Sequence, residues 1–327
     1  MITIRRVAPD DADAHLLWSE QQADLARRYA SPDLVLESSF PTLVASLVGY
    51  AEDGEPVASV VLRWSPYPTG EGSIEIKRLW VRPAHRGHGH SKVMMGAAEA
   101  IARKAGATRI VLETGTEQPE ALGLYDRLGY SRIVPYGEYR CEPDSVCYGL
   151  ELPVRVLVLT GPMGAGKTSV AESAHSVLAL RGARTAFIDA DTLCEAYPSP
   201  PDDMVNQALL MECLTALAPV HRRHGFGLLV IPRILEDPAD RAALAHALAG
   251  PGGPAEVTVV RVTAPLEERV ARLRRRETSE RWLDWAVPRT AEQGDELEEL
   301  ALEDAVVDNA GRTPEESAAE ALDAVGW

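Results

Sequence analysis

Lysine is nearly missing from this chain: only Lys77, Lys92, Lys104 and Lys167 occur among 33 basic residues, so each one invites a specific reason. Basic charge is short altogether. Forty-nine acidic residues against 33 basic ones give a formal net charge of −16, and such a surface repels phosphate backbones and anionic lipid. Nucleic acid and membrane are therefore not expected as partners. No apolar run approaches the ~20 residues of a membrane helix, and Met1 leads into a strand-like segment rather than a signal peptide. The expected compartment is the cytosol. Cysteine is scarce as well: Cys141, Cys147, Cys194 and Cys213 stand in no metal-ligand spacing. That points to free or buried thiols rather than to a disulfide framework or a zinc site.

What remains is a globular composition, 46% hydrophobic and 25% charged over 327 residues, enough for two domains each with its own core. Residues 1–152 carry 16 basic and 21 acidic side chains, residues 153–327 carry 17 and 28, so the halves differ at −5 and −11. In the first half, alternation predicts strands at Ile2–Val7, Val48–Ala51, Val57–Trp64, Ser73–Val81, Arg109–Glu113, Ile133–Val134 and Val146–Leu152. Helical spacing marks Ser91–Ala105, ending at Gly106, and Gln118–Leu128, stopped by Gly129. Pro153 is the expected boundary. Beyond it strands (Val156–Thr160, Thr185–Ile188, Gly227–Ile231, Val257–Val262, Ala305–Val307) alternate with helices (Lys167–Arg181, Met204–Ala218, Ala239–Leu248 and a long charged one from Leu266). That alternation predicts an α/β domain, a parallel sheet covered on both faces. The acid-rich stretch Glu292–Asp304 reads as a solvated helix face.

Two loops carry chemistry. In the first, the strand ending at Val81 gives way to Pro83-Ala84-His85-Arg86-Gly87-His88-Gly89-His90-Ser91, which opens a helix. Unpaired N–H groups at a helix N-terminus can cradle a pyrophosphate, and glycines let the backbone approach the anion. This order of elements resembles the GNAT acetyltransferase superfamily over residues 1–152. Its Gln/Arg-x-x-Gly-x-Gly/Ala motif is met by Arg86, Gly89 and, with a small departure, Ser91. The stretch from Glu113-Thr114-Gly115 through Ala121 to Tyr130 is similar to that family's later strand–helix–strand signature. The resemblance implies a mixed α+β domain that binds acetyl-CoA through Leu79, Val81, Arg86, Gly87, His88, Gly89, His90 and Ser91. It further implies Tyr125 as the proton donor to the departing thiolate and Glu75 as a general base. A helical tyrosine also suits a core, and Glu75 also suits an ion pair with Lys77 or Arg78. The three histidines read as contacts to coenzyme or solvent rather than a metal cluster. For the acceptor, Trp18, Tyr29, Phe40 and Tyr50 form either an aromatic wall or part of the core.

In the second loop, Gly161-Pro162-Met163-Gly164-Ala165-Gly166-Lys167-Thr168 meets G-x-x-x-x-G-K-[ST] at every position, between an apolar strand and a helix. The nest of N–H groups, reaching on to Ser169, wraps nucleotide phosphates. Lys167 neutralises β/γ oxygens and the Thr168 hydroxyl ligates Mg²⁺. Residues 153–327 resemble P-loop small-molecule and nucleotide kinases such as adenylylsulfate and shikimate-type kinases. The resemblance implies ATP, catalytic roles for Asp189 and Asp191, an arginine-bearing lid in Arg269, Arg272 and Arg274–Arg276, and a base-proximal turn at Asp308–Glu316. The arginines also suit a solvated helix face paired with Glu267, Glu268 and Glu277. One departure stands out: the strand Leu228–Ile231 runs into Pro232-Arg233 where an acid for magnesium is usual. The expectation is a bifunctional enzyme acting on a small-molecule amine and a small-molecule hydroxyl. Two alternatives stay open, an ATP-binding regulatory module and a protein acceptor. Oligomeric state leaves no mark on the sequence.

Overall fold

The computed structural model describes residues 2–327, which divide into two compact units, one ending at Leu152 and the other running from Pro153 to Trp327. The first unit is built from β1 (Thr3–Val7), α1 (Ala12–Arg28), β2 (Leu43–Tyr50), β3 (Pro56–Trp64), β4 (Ser73–Val81), α2 (His90–Lys104), β5 (Arg109–Gly115), α3 (Pro119–Arg127), β6 (Ser131–Arg132) and β7 (Ser145–Glu151). They form one seven-stranded sheet in the order β1-β2-β3-β4-β5-β7-β6, and only the central β4–β5 pair is parallel. Met94, Met95, Ala98 and Ala102 recur at helical spacing on α2 and bury against Ile74, Ile76, Ile110, Leu112 and Tyr148. Each large side chain so covered contributes about 1.5–3 kcal/mol. Beyond Ala105 the chain turns at Gly106, whose φ of 73° a side chain would resist. On the opposite face Ala14, Leu17 and Trp18 of α1 pack on Val48, Tyr50, Val61 and Trp80. Trp18 and Tyr50 are thus core, with Phe40 packed against them, rather than a wall for a substrate.

The second unit comprises β8 (Arg155–Thr160), α4 (Lys167–Leu180), β9 (Thr185–Phe187), α5 (Ala190–Leu193), α6 (Gln207–Arg223), β10 (Leu228–Pro232), α7 (Pro238–Ala247), β11 (Glu256–Thr263), α8 (Leu266–Arg276), α9 (Glu280–Leu300), β12 (Ala305–Asp308) and α10 (Pro314–Ala324). Its five strands are all parallel, in the order β12-β11-β8-β10-β9. Central β8 is buried on both faces, Val156 and Val158 toward α6 and α7, Leu157 and Leu159 toward α4 and α10. That is why its sequence is a continuous apolar run instead of an alternation.

Strand β2 starts at Leu43, five residues before the expected Val48, and three further elements differ from expectation. The long helix from Leu266 is two helices, because Glu277 is extended and the Ser279 side chain accepts from the Trp282 amide to start α9 afresh. Helix α6 begins at Gln207 and not at Met204, since the Asp203 carboxylate takes the Gln207 and Ala208 amides at 2.7 and 2.9 Å. Strand β6 pairs two residues earlier than Ile133–Val134. The acid-rich stretch is partly paired, Glu292 and Glu296 with Arg289, Glu303 with Arg261, Asp304 with Arg241.

Candidate active sites

The first site opens where the sheet comes apart. β4 and β5 pair only from Ser73↔Arg109 to Ile76↔Leu112, leaving Lys77–Val81 without a ladder on that side. The β3–β4 register slips one residue between Ser59↔Trp80 and Val61↔Lys77, and Arg78 adopts φ 58° at this bulge. The Arg78 backbone is held by the Ser59 hydroxyl at 2.9 Å, while its guanidinium bonds the Glu37 carbonyl and fixes the connector after α1. The split holds a cavity of about 820 Å³ bounded by β4, β5, α1, α3 and the start of α2.

At one end of the cavity lies the glycine loop. Gly89 is the N-cap of α2 with φ 78°, and a Cβ there would meet nothing within 4 Å. Glycine is required by the backbone angle, not by crowding, and the space before the free N–H groups stays open for an anion. Leu79, Val81, Arg86, Gly87, Gly89, His90 and Ser91 all line the cavity; His88 does not, and stacks on His90. Arg86 is less free than its motif position implies. Its Nη2 bonds Asp24 at 2.9 Å and its Nε the Val81 carbonyl at 3.0 Å. Burial would raise the Asp24 carboxyl, but the Arg86 hydrogen bond and the charges of Arg28 and Arg86 outweigh it and hold the group below its usual range.

Tyr125 reaches the cavity from α3, packed between Tyr130 and Tyr148. Those two hydroxyls are spent on Glu99 and Asp126; that of Tyr125 bonds no described side chain. Burial first, then the charge of Glu113, raise its pKa well above that of an ordinary phenol, so it stays protonated.

Glu75 is elsewhere. Fully buried on the sheet face that also carries Arg63 of β3, it takes Arg63 Nε at 2.7 Å and the Tyr136 hydroxyl at 3.1 Å and does not line the cavity. The expected partner, Lys77 or Arg78, is replaced by a residue across the β3–β4 ladder. Asp24, Glu37, Glu113 and Glu120 line the cavity; Asp24 is tied to Arg27, Arg28 and Arg86, Glu37 and Glu120 are exposed, and Glu113 of β5 is the partly buried carboxylate with no arginine on it. Burial pushes its pKa up, against the pull of a 2.7 Å hydrogen bond from Ser145 and the charge of Lys77. Sequence reasoning passed over it inside the Glu113-Thr114-Gly115 signature. Only strand alternation from the buried Leu112 marked it as facing the other way. Tyr29 is neither wall nor core: its hydroxyl accepts from the Glu117 amide beside Gly115.

The second site is the loop between β8 and α4. Gly166 has φ 101°, and a Cβ there would stand 2.5 Å from Asn309 Nδ2. The loop is braced from behind: Asn309 Nδ2 donates to the Ala165 carbonyl at 2.8 Å, Arg272 Nη1 to the same carbonyl at 2.9 Å, and Ser317 holds Asn309 Oδ1 at 2.7 Å. Met163, Gly164, Gly166, Lys167, Thr168 and Ser169 line a cavity of about 960 Å³; Gly161 and the buried Ala165 support it from below. Lys167 donates to the Pro162 carbonyl at 3.3 Å. Burial brings its pKa down to about 8, partly offset by Asp191.

The two aspartates separate. Asp189 caps α5, accepting the Asp191 and Thr192 amides at 3.1 and 3.2 Å, and does not line the cavity. Its place after β9 is that of a helix cap. Asp191 lines the cavity and is held by Arg233 Nη1 at 2.8 Å. Arg233, only 6% exposed at the end of β10, also bonds Gln207 at 2.9 Å, so the strand end that lacks an acid supplies a buried cation. The lid arginines split likewise. Arg269 is buried against Thr290 of α9; Arg272 braces the loop and lines the cavity with Arg275 and Arg276, and Arg274 does not line it. Among the described residues no three His, Cys, Asp or Glu side chains cluster for a metal, and no helix is long and apolar enough to cross a membrane.

Residues 13–130 match the acetyltransferase (GNAT) family, and residues 157–301 match an AAA domain. IAA acetyltransferase of Azospirillum brasilense is 34% identical over 86 residues, 26% of this chain and 55% of that protein. N-acetyltransferase 8F1 of Rattus norvegicus is 36% identical over 84 residues, 25% of this chain and 38% of that one. The chain thus spans about half or less of these relatives. A crystal structure assigned to an acyl-CoA N-acyltransferase of Klebsiella pneumoniae is 32% identical, covering 46% of this chain and 96% of that one, with a TM-score of 0.39.

Proposed function

We propose, for a chain whose first unit belongs to the GNAT acetyltransferase family and whose second is a P-loop domain, that it moves acetyl from acetyl-CoA to an amine of a small molecule and phosphate from ATP to a small-molecule hydroxyl. The acetyl half rests on one observation: a desolvated carboxylate, Glu113, and a protonated hydroxyl, Tyr125, face one cavity beneath the parted strands. The coenzyme lies along Leu79–Val81 with its pyrophosphate at the N–H groups of Gly87–Ser91. The acceptor nitrogen gives its proton to Glu113 and attacks the thioester carbon. Unladdered amides of β4 polarise the carbonyl, the C–S bond breaks, and the sulfur takes the Tyr125 proton. The test is CoA release from a panel of amines and peptides: Glu113→Gln and Tyr125→Phe must each lose it while acetyl-CoA affinity stays. Acetylation confined to peptides would replace the small molecule by a protein acceptor.

In the second unit the nucleotide phosphates sit on the amides of Gly164–Ser169, with Lys167 beside them and Arg275 and Arg276 above. Asp191, aimed by Arg233, takes the proton of the acceptor hydroxyl. The Thr168 hydroxyl, which lines the cavity beside Lys167, would hold the magnesium of the nucleotide, and that ion would supply charge neutralisation. Arg233 at the strand end favours a second reading, in which ATP binding regulates acetylation without phosphate transfer. ADP formation that depends on an added hydroxyl compound supports the kinase; its absence, with acetylation altered by ATP, supports regulation.

A further inference from the structure

The second cavity has two unlike ends, and the sheet order says which ligand each serves. β8, which feeds the phosphate loop, lies between β11 and β10. On the β11–β12 side stands the turn at residues 308–313, none of which lines the cavity. On the β10–β9 side stand Asp191 and the segment after α5, which do. A parallel sheet binds ligands beyond the carboxyl ends of its strands, on either side of the point where its order reverses. The cavity is therefore the phosphate and acceptor half of the site, and the base lies beyond it.

That acceptor end carries large apolar side chains left uncovered among its polar groups. Tyr197, Met204 and Val205 are 87%, 73% and 55% exposed on one wall, and Trp285 is 58% exposed on the other. Trp282 lies next to Trp285 with ring centroids 6.1 Å apart, edge to face, and the Arg276 guanidinium stands 5.8 Å from the Trp282 ring centre. Large side chains this exposed are costly to leave wet, and here they gather around a carboxylate and a phosphate loop. Thr192, Glu195 and Ser199 line this end as well, but a small polyol would leave the large apolar side chains wet, whereas an aromatic body would bury them.

Resting on the kinase reading, we infer that the phosphoryl acceptor is a ring-bodied, apolar alcohol or phenol, its ring between the Trp282–Trp285 wall and the Tyr197–Met204–Val205 wall, its hydroxyl at Asp191. The hydroxyl oxygen forms a bond to the γ-phosphorus and its proton passes to the Asp191 carboxylate. The bond from the γ-phosphorus to the β,γ-bridging oxygen breaks, and ADP leaves with the electron pair. Arg233 is a positioning residue. It acts through its ion pair with Asp191.

The experiment is calorimetry on the full chain saturated with magnesium and a non-hydrolysable ATP analogue, titrated with 2-naphthol and with glycerol. 2-Naphthol should bind and glycerol should not. Trp285→Ala and Met204→Ser, both at exposed positions, should each weaken 2-naphthol by about ten-fold, the scale of a lost aromatic or apolar contact, and leave analogue affinity unchanged. Equal binding of glycerol overturns the inference. So does a Trp285→Ala variant that loses the analogue but keeps 2-naphthol, which would put the adenine on the indoles. Turnover with ATP then separates the two readings. Naphthol bound as expected, with neither ADP nor naphthyl phosphate formed, refutes phosphate transfer and leaves the apolar subsite standing.

Discussion

Replacing Glu75 by Gln separates two roles that its position on β4 allows. Arg63 is 2% exposed and Glu75 is 0% exposed, and the pair is completed by the Tyr136 hydroxyl and by Glu37 on the far side of the guanidinium. Removing one partner of a buried pair costs about 3–5 kcal/mol. Because Gln keeps the shape and Arg63 keeps Glu37, the lower end of that range, about 3 kcal/mol, is expected. For a unit of this size 1 kcal/mol moves Tm by roughly 2–4 °C, so the shift should be roughly 6–12 °C downward. Calorimetry of the full chain reads it, the first unit's transition being the one that acetyl-CoA raises. Below the new Tm, acetyl transfer should persist within about ten-fold, because no proton leaves through Glu75. An unchanged transition with acetylation lost by ~10²–10⁴-fold would make Glu75 the general base after all and refute the assignment of Glu113.

Glu113→Gln should show the reverse pattern, acetyl transfer reduced ~10²–10⁴-fold with little change in Tm. In the wild type, kcat/KM should rise with pH through a value above that of an ordinary glutamate, because the base works only when ionised and burial raises its pKa; a profile flat above pH 5 would count against it. Asp24 is depressed in the folded state, so its stabilisation is present above the unfolded value of about 4 and is lost as pH falls through the folded one. Asp24→Asn should therefore flatten the acid limb of the first unit's Tm–pH curve, and an unaltered limb would show that the pair with Arg86 contributes nothing. Near pH 8, ATP binding should take up a proton at Lys167, seen as binding enthalpies that differ between two buffers of unlike ionisation heat. Lys167→Ala should abolish that uptake and most of the affinity.

Backbone features were legible; side-chain destinations were less so. Strand β4 was bounded residue for residue by alternation, and Gly106 ended α2 because its positive φ is a local demand. The phosphate loop announced itself because its chemistry lies in consecutive residues. Glu75 and Glu113 were not separable by such means. Both are strand glutamates, and which one meets the cavity depends on Arg63 across the ladder and on where β4 leaves β5. Asp189 and Asp191 stand two residues apart, and about half a helical turn divides a cap from a cavity group. The break before α9 was missed because the charge pattern continues through it while the backbone does not.

The bracing behind the phosphate loop has a directional consequence. A trans peptide plane carries its C=O and the following N–H on opposite sides. Once Asn309 and Arg272 fix the Ala165 oxygen to the rear, the Gly166 amide hydrogen is turned forward before any ligand arrives. The polarity of the anion seat is thus imposed by side chains from α8 and from the β12–α10 turn, with Ser317 holding Asn309 upright. A chain cut before Asn309 would keep every residue of the glycine-rich motif and lose the sense in which its dipoles point.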